Sequence, residues 1–319
     1  MQNSWDVIII GGGSAGLSAA LMLGRARRRV LVLDAGAPRN GVAAHMHGVL
    51  GRDGWSPLDL LAAGRDEVRR YGVVVESGEV AAAGAGAGAT RVASGFEVVA
   101  GDGTRHLARR LLVATGVRDG LPELPGLAEQ WGSGAVVCPY CDGWEVRDRR
   151  IGVLAAGPMA LHQAQLLRQW SPDVTYFVNG TELPADAYAA LVARGIGVES
   201  REVVRVVADE HGRLSGIRLA DCAEVPIDSL FLQPLPLPND AVLRSLGAAT
   251  TEQLGVDWVA VDADGRTSVP GLWAAGNVVS ARTSVPIASG AGNAVGAAIN
   301  ADLVDEEIRE ALAAGVTVV

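Results

Sequence analysis

Two stretches of the chain share one order of apolar and polar positions. The first starts with an uninterrupted apolar run, Val7–Ile10, passes a glycine-rich turn, and continues with small and apolar residues over Leu17–Leu23. A second apolar run, Val30–Leu33, comes next. Short, fully apolar runs are typical of parallel strands that are buried on both faces. The order therefore predicts a strand–helix–strand unit.

The same order returns in the middle of the chain. Ile151–Leu154 is a short apolar run, a helix is expected over Ala160–Trp170, and Val174–Val178 is a second apolar run. The turn Ser171-Pro172-Asp173 separates the expected helix from the last strand. Two such units predict an α/β protein with two Rossmann-like, three-layer domains.

Glycines occupy the turn of the first unit at a spacing that suits a dinucleotide. Gly11, Gly13 and Gly16 form G-x-G-x-x-G. The first permits a tight turn, the second lets backbone amides approach a pyrophosphate at the helix N-terminus, and the third allows close helix–strand packing. Asp34 ends the second strand and can accept hydrogen bonds from a ribose. The unit is predicted to bind a dinucleotide.

The second unit has the same turn with substitutions. Ala155 stands at the first glycine position, where glycine is preferred, while Gly157 and Ala160 suit the second and third. After the second strand, the chain has no Lys or Arg between Arg168 and Arg194. The 2′-phosphate of NADP would meet no arginine there. This unit has the fold that binds a nicotinamide dinucleotide. It lacks the side chains expected to hold the adenosine ribose and its 2′-phosphate, unless other loops supply these contacts.

Further motifs suggest a discontinuous first domain. Residues 111–116 (LLVATG) and 271–277 (GLWAAGN) are two similar apolar runs that end in small residues, and a helix is expected over Gly290–Val304. Proline and glycine mark both seams of the intervening segment. We therefore expect residues 1–116 and 240–319 to form one domain and residues 117–239 an inserted one. Ala81–Ala89, rich in Ala and Gly, is expected to be a surface turn that leads to a strand at Gly95–Val99.

Length and composition narrow the function classes. The chain has 319 residues, enough for two domains. Its net charge of −9 argues against a nucleic-acid or acidic-membrane partner. Three cysteines are too few for a secreted disulfide scaffold, and no apolar run approaches the roughly 18 residues needed to span a bilayer. We expect a cytoplasmic protein.

The stretch Cys138-Pro139-Tyr140-Cys141-Asp142 carries the candidate chemistry. A Cys-x-x-Cys pair can bind zinc, form a structural disulfide or carry electrons. Zinc needs about four ligands, whereas Cys222 is far along the chain and the five histidines are not at ligand spacing. Structural disulfides are rare in cytoplasmic proteins. An electron carrier is therefore favoured, with Asp142 as a general acid/base, or alternatively as a cap of the following turn.

In order and spacing, these motifs resemble the low-molecular-weight thioredoxin reductase family over nearly the whole chain. The resemblance implies FAD in the first domain, a redox disulfide between Cys138 and Cys141, and a homodimer. It further implies that Cys138 meets the substrate and that Cys141 contacts the flavin. The residues expected to contact FAD are Gly11, Gly13, Ser14, Ala15, Gly16, Asp34, Arg39, Asn40, His47, Val80, Ala114, Thr115, Gly116, Gly276 and Asn277.

The chain departs from the family's reductases where these bind NADPH. It lacks the first glycine and the arginine cluster of the second unit, and Ser284-Val285-Pro286 stands where the family has Arg-Gln-Ala. Similar departures occur in the family's branch of FAD dithiol oxidases, which close disulfides in small natural products such as gliotoxin and holomycin and pass the electrons to dioxygen. The resemblance therefore implies a dithiol oxidase whose partners are a small dithiol and dioxygen.

Two other functions stay open at this point. The chain could be an NAD(P)H-dependent reductase of a thioredoxin-like protein, or a flavin-bound redox sensor without enzymatic activity. His45 and His47 lie in a loop that runs near the flavin in this family, and either could help to deprotonate a dithiol. The alternative is that both are ordinary loop histidines. Trp144 could stack near the active site or belong to the core.

Overall fold

The computed structural model describes residues 4–80, 88–93 and 95–315. Most of the surface turn expected over Ala81–Ala89 lies outside these residues. The chain folds as two compact units. The first consists of the described parts of Met1–Arg39, Leu58–Arg118 and Pro238–Val319, and the second of Asn40–Pro57 and Asp119–Leu237.

The secondary structure alternates strands and helices along most of the chain. The elements up to Val113 are β1 (Ser4–Ile10), α1 (Ser14–Arg25), β2 (Val30–Asp34), α2 (Pro57–Arg69), β3 (Val74–Ser77), β4 (Gly88–Val92), β5 (Gly95–Val99) and β6 (Arg105–Val113), with a 3₁₀ turn at Arg39–Val42. The middle of the chain contains β7 (Val117–Gly120), α3 (Leu127–Gln130), β8 (Ala135–Val136), α4 (Pro139–Asp142), β9 (Ile151–Leu154), α5 (Ala160–Leu167), β10 (Val174–Phe177), α6 (Ala185–Ala193) and β11 (Gly197–Glu199). The remaining elements are β12 (Val203–Ala208), β13 (Leu214–Leu219), β14 (Glu224–Pro226), β15 (Ser229–Phe231), β16 (Leu235–Pro238), α7 (Ala241–Ser245), β17 (Thr250–Gln253), β18 (Val256–Val259), β19 (Leu272–Ala274) and α8 (Val285–Ala313).

The first unit is built on a mixed sheet. Strands β3, β2, β1 and β6 run parallel in that order, and β6 then pairs with β5 through its first half and with β19 through its last residues. Strands β5 and β4 complete the sheet as an antiparallel hairpin. Because β1, β6 and β19 are parallel, their carboxyl ends lie at the same end of the sheet, where the loops that follow them meet.

The second unit has its own parallel sheet, in the order β11-β10-β9-β15-β8. A separate antiparallel sheet of β12, β13 and β14 belongs to the same unit. The turn between β9 and α5 lies at the carboxyl end of β9, where doubly wound sheets bind their ligands.

The central strands of both sheets are buried on both faces. In β1, Val7 and Ile9 pack into one core cluster, whereas Ile8 and Ile10 pack into the other. The period of two follows from the alternation of side chains in a strand. The same holds in β9, where Val153 and Leu154 point to opposite clusters. Continuous apolar runs are therefore required at these positions, as the sequence pattern predicted.

Helix α8 packs directly on α1 through small residues. A Cβ at Gly292 would lie 2.0 Å from the carbonyl oxygen of Ala15. Only glycine permits this approach. Arg110 also pairs with Asp302 and Glu306 of α8, and Arg28 pairs with Glu307.

Several expected boundaries are wrong. Helix α8 spans Val285–Ala313 instead of Gly290–Val304, because Pro286 is tolerated in a first helical turn and the charged residues after Val304 continue the helix. Helix α5 ends at Leu167 instead of Trp170. The apolar run at residues 111–116 predicts a strand that ends in Thr-Gly, whereas strand β6 ends at Val113 and Ala114–Gly116 form the loop beyond it. No sequence feature assigned residues 40–57 to the second unit.

No helix in the described part of the chain combines the length and the apolar character that crossing a bilayer requires.

Candidate active site

The glycine loop after β1 is tightly packed against the loop after β6. Gly11 has a φ of +106°, and a Cβ there would lie 2.4 Å from the carbonyl oxygen of Ala114. A Cβ at Gly16 would lie 1.9 Å from the carbonyl oxygen of Gly11. Since side chains are excluded at both positions, these glycines are required by the fold of the loop itself.

Gly13 differs from its two neighbours in the motif. No described heavy atom lies within 4 Å of the place a Cβ would occupy, so the space beside the backbone is open. Gly13 is the N-cap of α1, and no side chain in the described ranges caps this helix. The first amides of α1, at Ser14 and Ala15, have no acceptor within the helix, and the positive end of the helix dipole lies next to this open space. This cradle fits the pyrophosphate of a dinucleotide.

Asp34 lies next to the same loop. Its Oδ1 accepts a hydrogen bond from the backbone N–H of Gly12 at 3.0 Å, and its Oδ2 lies 3.6 Å from a guanidinium nitrogen of Arg65. A carboxylate has about four lone-pair positions, so it can still accept from ribose hydroxyls. This hydrogen-bond acceptor fits a dinucleotide whose adenosine ribose carries free hydroxyls.

The loop after β6 is held by reciprocal hydrogen bonds. The Thr115 hydroxyl donates to the carbonyl oxygen of Asn239 at 2.7 Å, and the Asn239 amide donates back to the Thr115 carbonyl at 2.9 Å. Gly116 follows with a φ of +73° and accepts from the Asn239 N–H. Ala114–Gly116 thus lie beside Gly11, at the edge where the cradle opens.

Asn277 and Arg39 meet at one backbone segment. The Asn277 amide nitrogen lies 3.0 Å from the carbonyl oxygens of both Ser280 and Thr283, which leaves its Oδ1 as the atom that could accept from a ligand. Arg39 donates to the carbonyl of Ala281 at 3.3 Å. A Cβ at Gly276 would lie 2.9 Å from the Cβ of Ala15, so this turn packs on the start of α1.

Three further residues expected to contact FAD stay predictions. Val80 is half-buried against the core of the first unit. Asn40 and His47 belong to the second unit.

The two cysteines of the second unit are joined in a disulfide. Cys138 is the N-cap of α4 and Cys141 lies in its single turn, with 5.2 Å between their Cα atoms. The Cys138 carbonyl accepts from the N–H groups of Cys141 and Asp142. Both cysteines are half-buried. Cys222 is exposed and free, on a turn with a φ of +68°.

Residues around the disulfide hold α4 in place. A Cβ at Gly143 would lie 2.4 Å from the Pro139 carbonyl and 2.9 Å from the Trp170 ring. Trp170 also meets Tyr140 edge to face, with ring centres 5.8 Å apart. From α5, Gln163 donates to the carbonyl of Val137, the residue before Cys138, at 2.7 Å.

Two aromatic side chains beside the disulfide face solvent. Tyr140 is 74% exposed and Trp144 is 64% exposed. The Arg147 guanidinium lies over the Trp144 ring, 4.3 Å from its centre. The core alternative for Trp144 is therefore wrong.

Asp142 has an altered proton affinity. Burial, and to a lesser extent the nearby negative charge of Glu145, raise the pKa of its carboxyl to about 6, although His47 acts in the opposite direction. Near neutral pH, a carboxyl with this pKa exists in both protonation states, as a general acid/base needs.

His47 lies between two carboxylates. Its Nδ1 is 3.3 Å from an oxygen of Asp53, and its Nε2 is 3.4 Å from an oxygen of Glu145. His45 is exposed, and its Nδ1 is 3.2 Å from the carbonyl oxygen of Gly54.

The nucleotide-type turn of the second unit is filled by a side chain of the chain itself. The Gln233 side-chain oxygen accepts a hydrogen bond from the Met159 N–H at 3.2 Å. The same oxygen lies 3.0 Å from the place of a Cβ at Gly157. Gln233 therefore sits where a phosphate would approach the start of α5.

The carboxyl ends of β9 and β10 border a cavity of about 370 Å³. Its charged lining residues are Glu123 and Glu202. Asn179, after β10, uses its side-chain oxygen to accept from the Val203 N–H. Arg201 is paired with Glu199 and Asp221. The cavity thus offers carboxylates where a 2′-phosphate would need cations.

Gln233 and Glu145 were missed by sequence reasoning. Glu145 lies three residues after Asp142, a spacing that places side chains together on a helical turn and could have been noticed. Gln233 is 76 residues from Gly157, and no local pattern connects them.

The chain resembles known proteins along most of its length. Residues 5–296 match the family described as pyridine nucleotide-disulphide oxidoreductase. The chain is 35% identical over 256 residues to the thioredoxin reductase tcpT of Claviceps purpurea (strain 20.1), covering 77% of this chain and 78% of that protein. It is 30% identical over 287 residues to the thioredoxin reductase sirT of Leptosphaeria maculans, covering 86% of both.

Solved structures also resemble this chain over most of its length. The crystal structure of HlmI superposes with a TM-score of 0.92 at 43% identity, covering 98% of this chain and 97% of HlmI. An oxidoreductase from Agrobacterium tumefaciens superposes with a TM-score of 0.86 at 38% identity, covering 94% of this chain and 99% of that one.

Proposed function

The chain belongs to the pyridine nucleotide-disulphide oxidoreductase family, and we propose that within this family it oxidises a small dithiol to a disulfide. The proposed enzyme uses the Cys138–Cys141 pair, FAD and dioxygen, and it releases hydrogen peroxide. It needs no nicotinamide dinucleotide. By resemblance to the family, we further propose that it works as a homodimer in the cytoplasm.

The observation that carries this proposal is the contact between Gln233 and the turn at Gly157. In a dinucleotide site, the N–H groups at this turn bind phosphate oxygens. Here the Met159 N–H already donates to Gln233. A dinucleotide would have to displace the glutamine, and it would then meet Glu123 and Glu202 instead of arginines. Both features disfavour NADPH as the source of electrons.

The oxidation of the dithiol is a pair of thiol–disulfide exchanges. One substrate thiolate attacks Cys138, a bond forms between the two sulfurs, and the Cys138–Cys141 bond breaks to release the Cys141 thiolate. The second substrate thiolate then attacks the mixed disulfide and releases Cys138. The substrate loses two electrons and two protons, and the cysteine pair gains both electrons.

Asp142 is suited to move the protons of these exchanges. It follows Cys141 directly, and its pKa of about 6 lets it accept a proton from a substrate thiol and return it to a leaving thiolate. We assign it the role of general acid/base.

The residues of the first unit fit FAD. The open cradle at Gly13 and the first amides of α1 would hold the pyrophosphate, and Asp34 would hold the adenosine ribose. We assign the neighbouring contacts to the loops after β6 and β19, with Arg39 beside them. Bound FAD would supply a two-electron acceptor that reoxidises the cysteine pair and passes the electrons to dioxygen.

The second candidate function is an NAD(P)H-dependent reductase of a thioredoxin-like protein. The intact β9–α5–β10 unit and the similarity to proteins named thioredoxin reductase favour it. The two functions differ in the source of the electrons.

Turnover in air distinguishes them. We expect the purified flavoprotein, given a dithiol such as dithiothreitol, to form one hydrogen peroxide per disulfide, measured by a peroxidase-coupled assay. NADPH should not support reduction of thioredoxin. Thioredoxin reduction by NADPH without peroxide formation from the dithiol would instead establish the reductase.

A further inference from the structure

His47 connects two segments of the second unit that are distant in sequence. It belongs to the segment Asn40–Pro57, whereas Glu145 follows the cysteine helix α4. The imidazole lies 3.3 Å from Asp53 on its own segment and 3.4 Å from Glu145 on the other. A protonated ring can donate from both nitrogens, so it can satisfy both carboxylates at once.

The position of His47 is determined by its segment. The Met46 N–H donates to the Trp55 carbonyl at 2.8 Å, and the Gly54 N–H donates to the Met46 carbonyl at 2.9 Å. Met46 itself is buried. Asp53 accepts from the Gly48 N–H at 2.8 Å, which fixes the carboxylate next to His47. The histidine is therefore held from two sides before it reaches Glu145.

Glu145 is placed to act on Asp142. The two residues are three apart on the turn that continues α4, a spacing at which side chains are neighbours. The charge of Glu145 raises the pKa of Asp142, and that of His47 lowers it. The pKa of Asp142 is thus moved in opposite directions by Glu145 and His47, whose side chains lie 3.4 Å apart.

We propose that His47 is a positioning residue of the redox site, which pairs with Glu145, offsets the negative charge that Glu145 places next to Asp142, and so controls when Asp142 exchanges a proton with the cysteine pair. The inference deepens the proposed function, because it rests on the assigned role of Asp142. The step it controls is the transfer of one proton from a substrate thiol to the Asp142 carboxylate. His47 and Glu145 touch neither sulfur in this account.

The charged groups around this cluster are Asp53, Glu145 and Asp142 on its acidic side, with His47 between them. The arginines nearest in sequence are turned to aromatic rings. Arg52 lies over Trp55 at 4.4 Å, and Arg147 lies over Trp144 at 4.3 Å. His47 lies 3.3 Å from Asp53 and 3.4 Å from Glu145, which makes it the contact of both carboxylates.

The test is the titration of Asp142 in the substrate-free flavoprotein. Infrared spectroscopy can follow the carboxyl C=O band that is lost in Asp142→Asn. Glu145→Gln removes a negative charge, so we expect the midpoint to fall. His47→Gln removes the imidazole that lowers the pKa of Asp142, so we expect the midpoint to rise. Each of the two shifts should be about half a pH unit or more. In the double variant, His47→Gln should have a smaller effect than it has alone.

His45→Gln is the matched control for damage to the segment. It removes a neighbouring histidine that contacts a carbonyl instead of a carboxylate, so the Asp142 midpoint should not move. The inference is overturned if both variants leave the midpoint unchanged or move it in one direction, or if His45→Gln moves it as much as His47→Gln.

The titration also separates this inference from the proposed function. No substrate or turnover is involved, so the shifts are expected whichever way the electrons flow. If His47→Gln does not fold, the Asp142 midpoint of the Glu145→Gln variant is the test. Glu145 is partly exposed, so glutamine, its neutral isostere, should be tolerated there. An unchanged midpoint in Glu145→Gln would then overturn the inference.

Discussion

Gln233 and Met159 are joined by a hydrogen bond of 3.2 Å at the turn between β9 and α5. The glutamine comes from the loop after β15 and lies against Gly157. The first unit has an open cradle at the equivalent turn, beside Gly13. The chain thus contains two turns that each connect a parallel strand to a helix. The turn at Gly13 is open to a phosphate, whereas the turn at Gly157 is filled by the side chain of Gln233.

Replacing Gln233 tests the role of this contact. Gln233→Ala leaves the Met159 N–H without its side-chain partner, which should lower the free energy of unfolding by about 1 kcal/mol. Urea denaturation measures this change. The variant should also bind inorganic pyrophosphate more tightly than the wild type in calorimetry. If pyrophosphate affinity is the same in both proteins, Gln233 does not occlude the turn.

Gly13 should be required for the cofactor and not for the fold. A Cβ at Gly13 meets no described atom, so Gly13→Ala should leave the urea midpoint of the apoprotein unchanged. It should weaken flavin binding about tenfold or more, since the added methyl group lies where the pyrophosphate approaches. Flavin content after purification and flavin titration measure this.

Gly16→Ala is the contrasting variant. Its Cβ would lie 1.9 Å from a backbone oxygen, so both stability and flavin binding should fall, the former by about 1–3 kcal/mol. Equal loss of apoprotein stability in the two variants would contradict the assignment of Gly13 to the cofactor.

Asp142 should destabilise the folded protein above about pH 6. Its pKa is raised on folding from 3.8 to about 6, so the folded state keeps a proton that the unfolded state has already lost. The stabilising effect of this proton is complete below the unfolded pKa and is lost as the pH rises through about 6.

Asp142→Asn should therefore be more stable than the wild type at pH 8, by about 2–3 kcal/mol. The difference should disappear at low pH, where the carboxyl is protonated in both states. Urea denaturation at a series of pH values measures it. A constant difference across this range would mean that the carboxyl has an ordinary pKa.

The cysteine pair should be indispensable for dithiol oxidation. Cys138→Ser and Cys141→Ser each remove one sulfur of the disulfide, so peroxide formation from a dithiol should fall to the uncatalysed background. Cys222→Ser is the matched control, since Cys222 is free and exposed, and it should keep wild-type activity. Turnover in either disulfide variant would exclude the proposed exchange.

Much of the fold was predictable because it rests on local patterns. The runs at Val7–Ile10 and Ile151–Leu154 are strands of parallel sheets, as predicted. The predicted α/β fold and membership in the thioredoxin reductase family are confirmed by the family match and by the similar structures. The spacing of the glycines and the pattern of apolar residues predict the strands and the dinucleotide-binding turn from short stretches of sequence.

What could not be predicted depends on contacts between distant segments. The extent of α8 was underestimated because its charged last turns are held by ion pairs of Glu306 and Glu307 with Arg110 and Arg28, which are distant in sequence. The approach of His47 to Glu145 joins residues 98 positions apart, and Gln233 reaches Gly157 across 76. Neither pair has a periodic or local signature.

The most direct test of the proposed function is the colour of the flavin under anaerobic conditions. We predict that a dithiol bleaches the flavin absorbance of the purified protein within the time of one turnover, and that NADPH at the same concentration does not. Admission of air should restore the absorbance and yield one hydrogen peroxide per flavin. Rapid bleaching by NADPH, with none by the dithiol, would contradict the proposal.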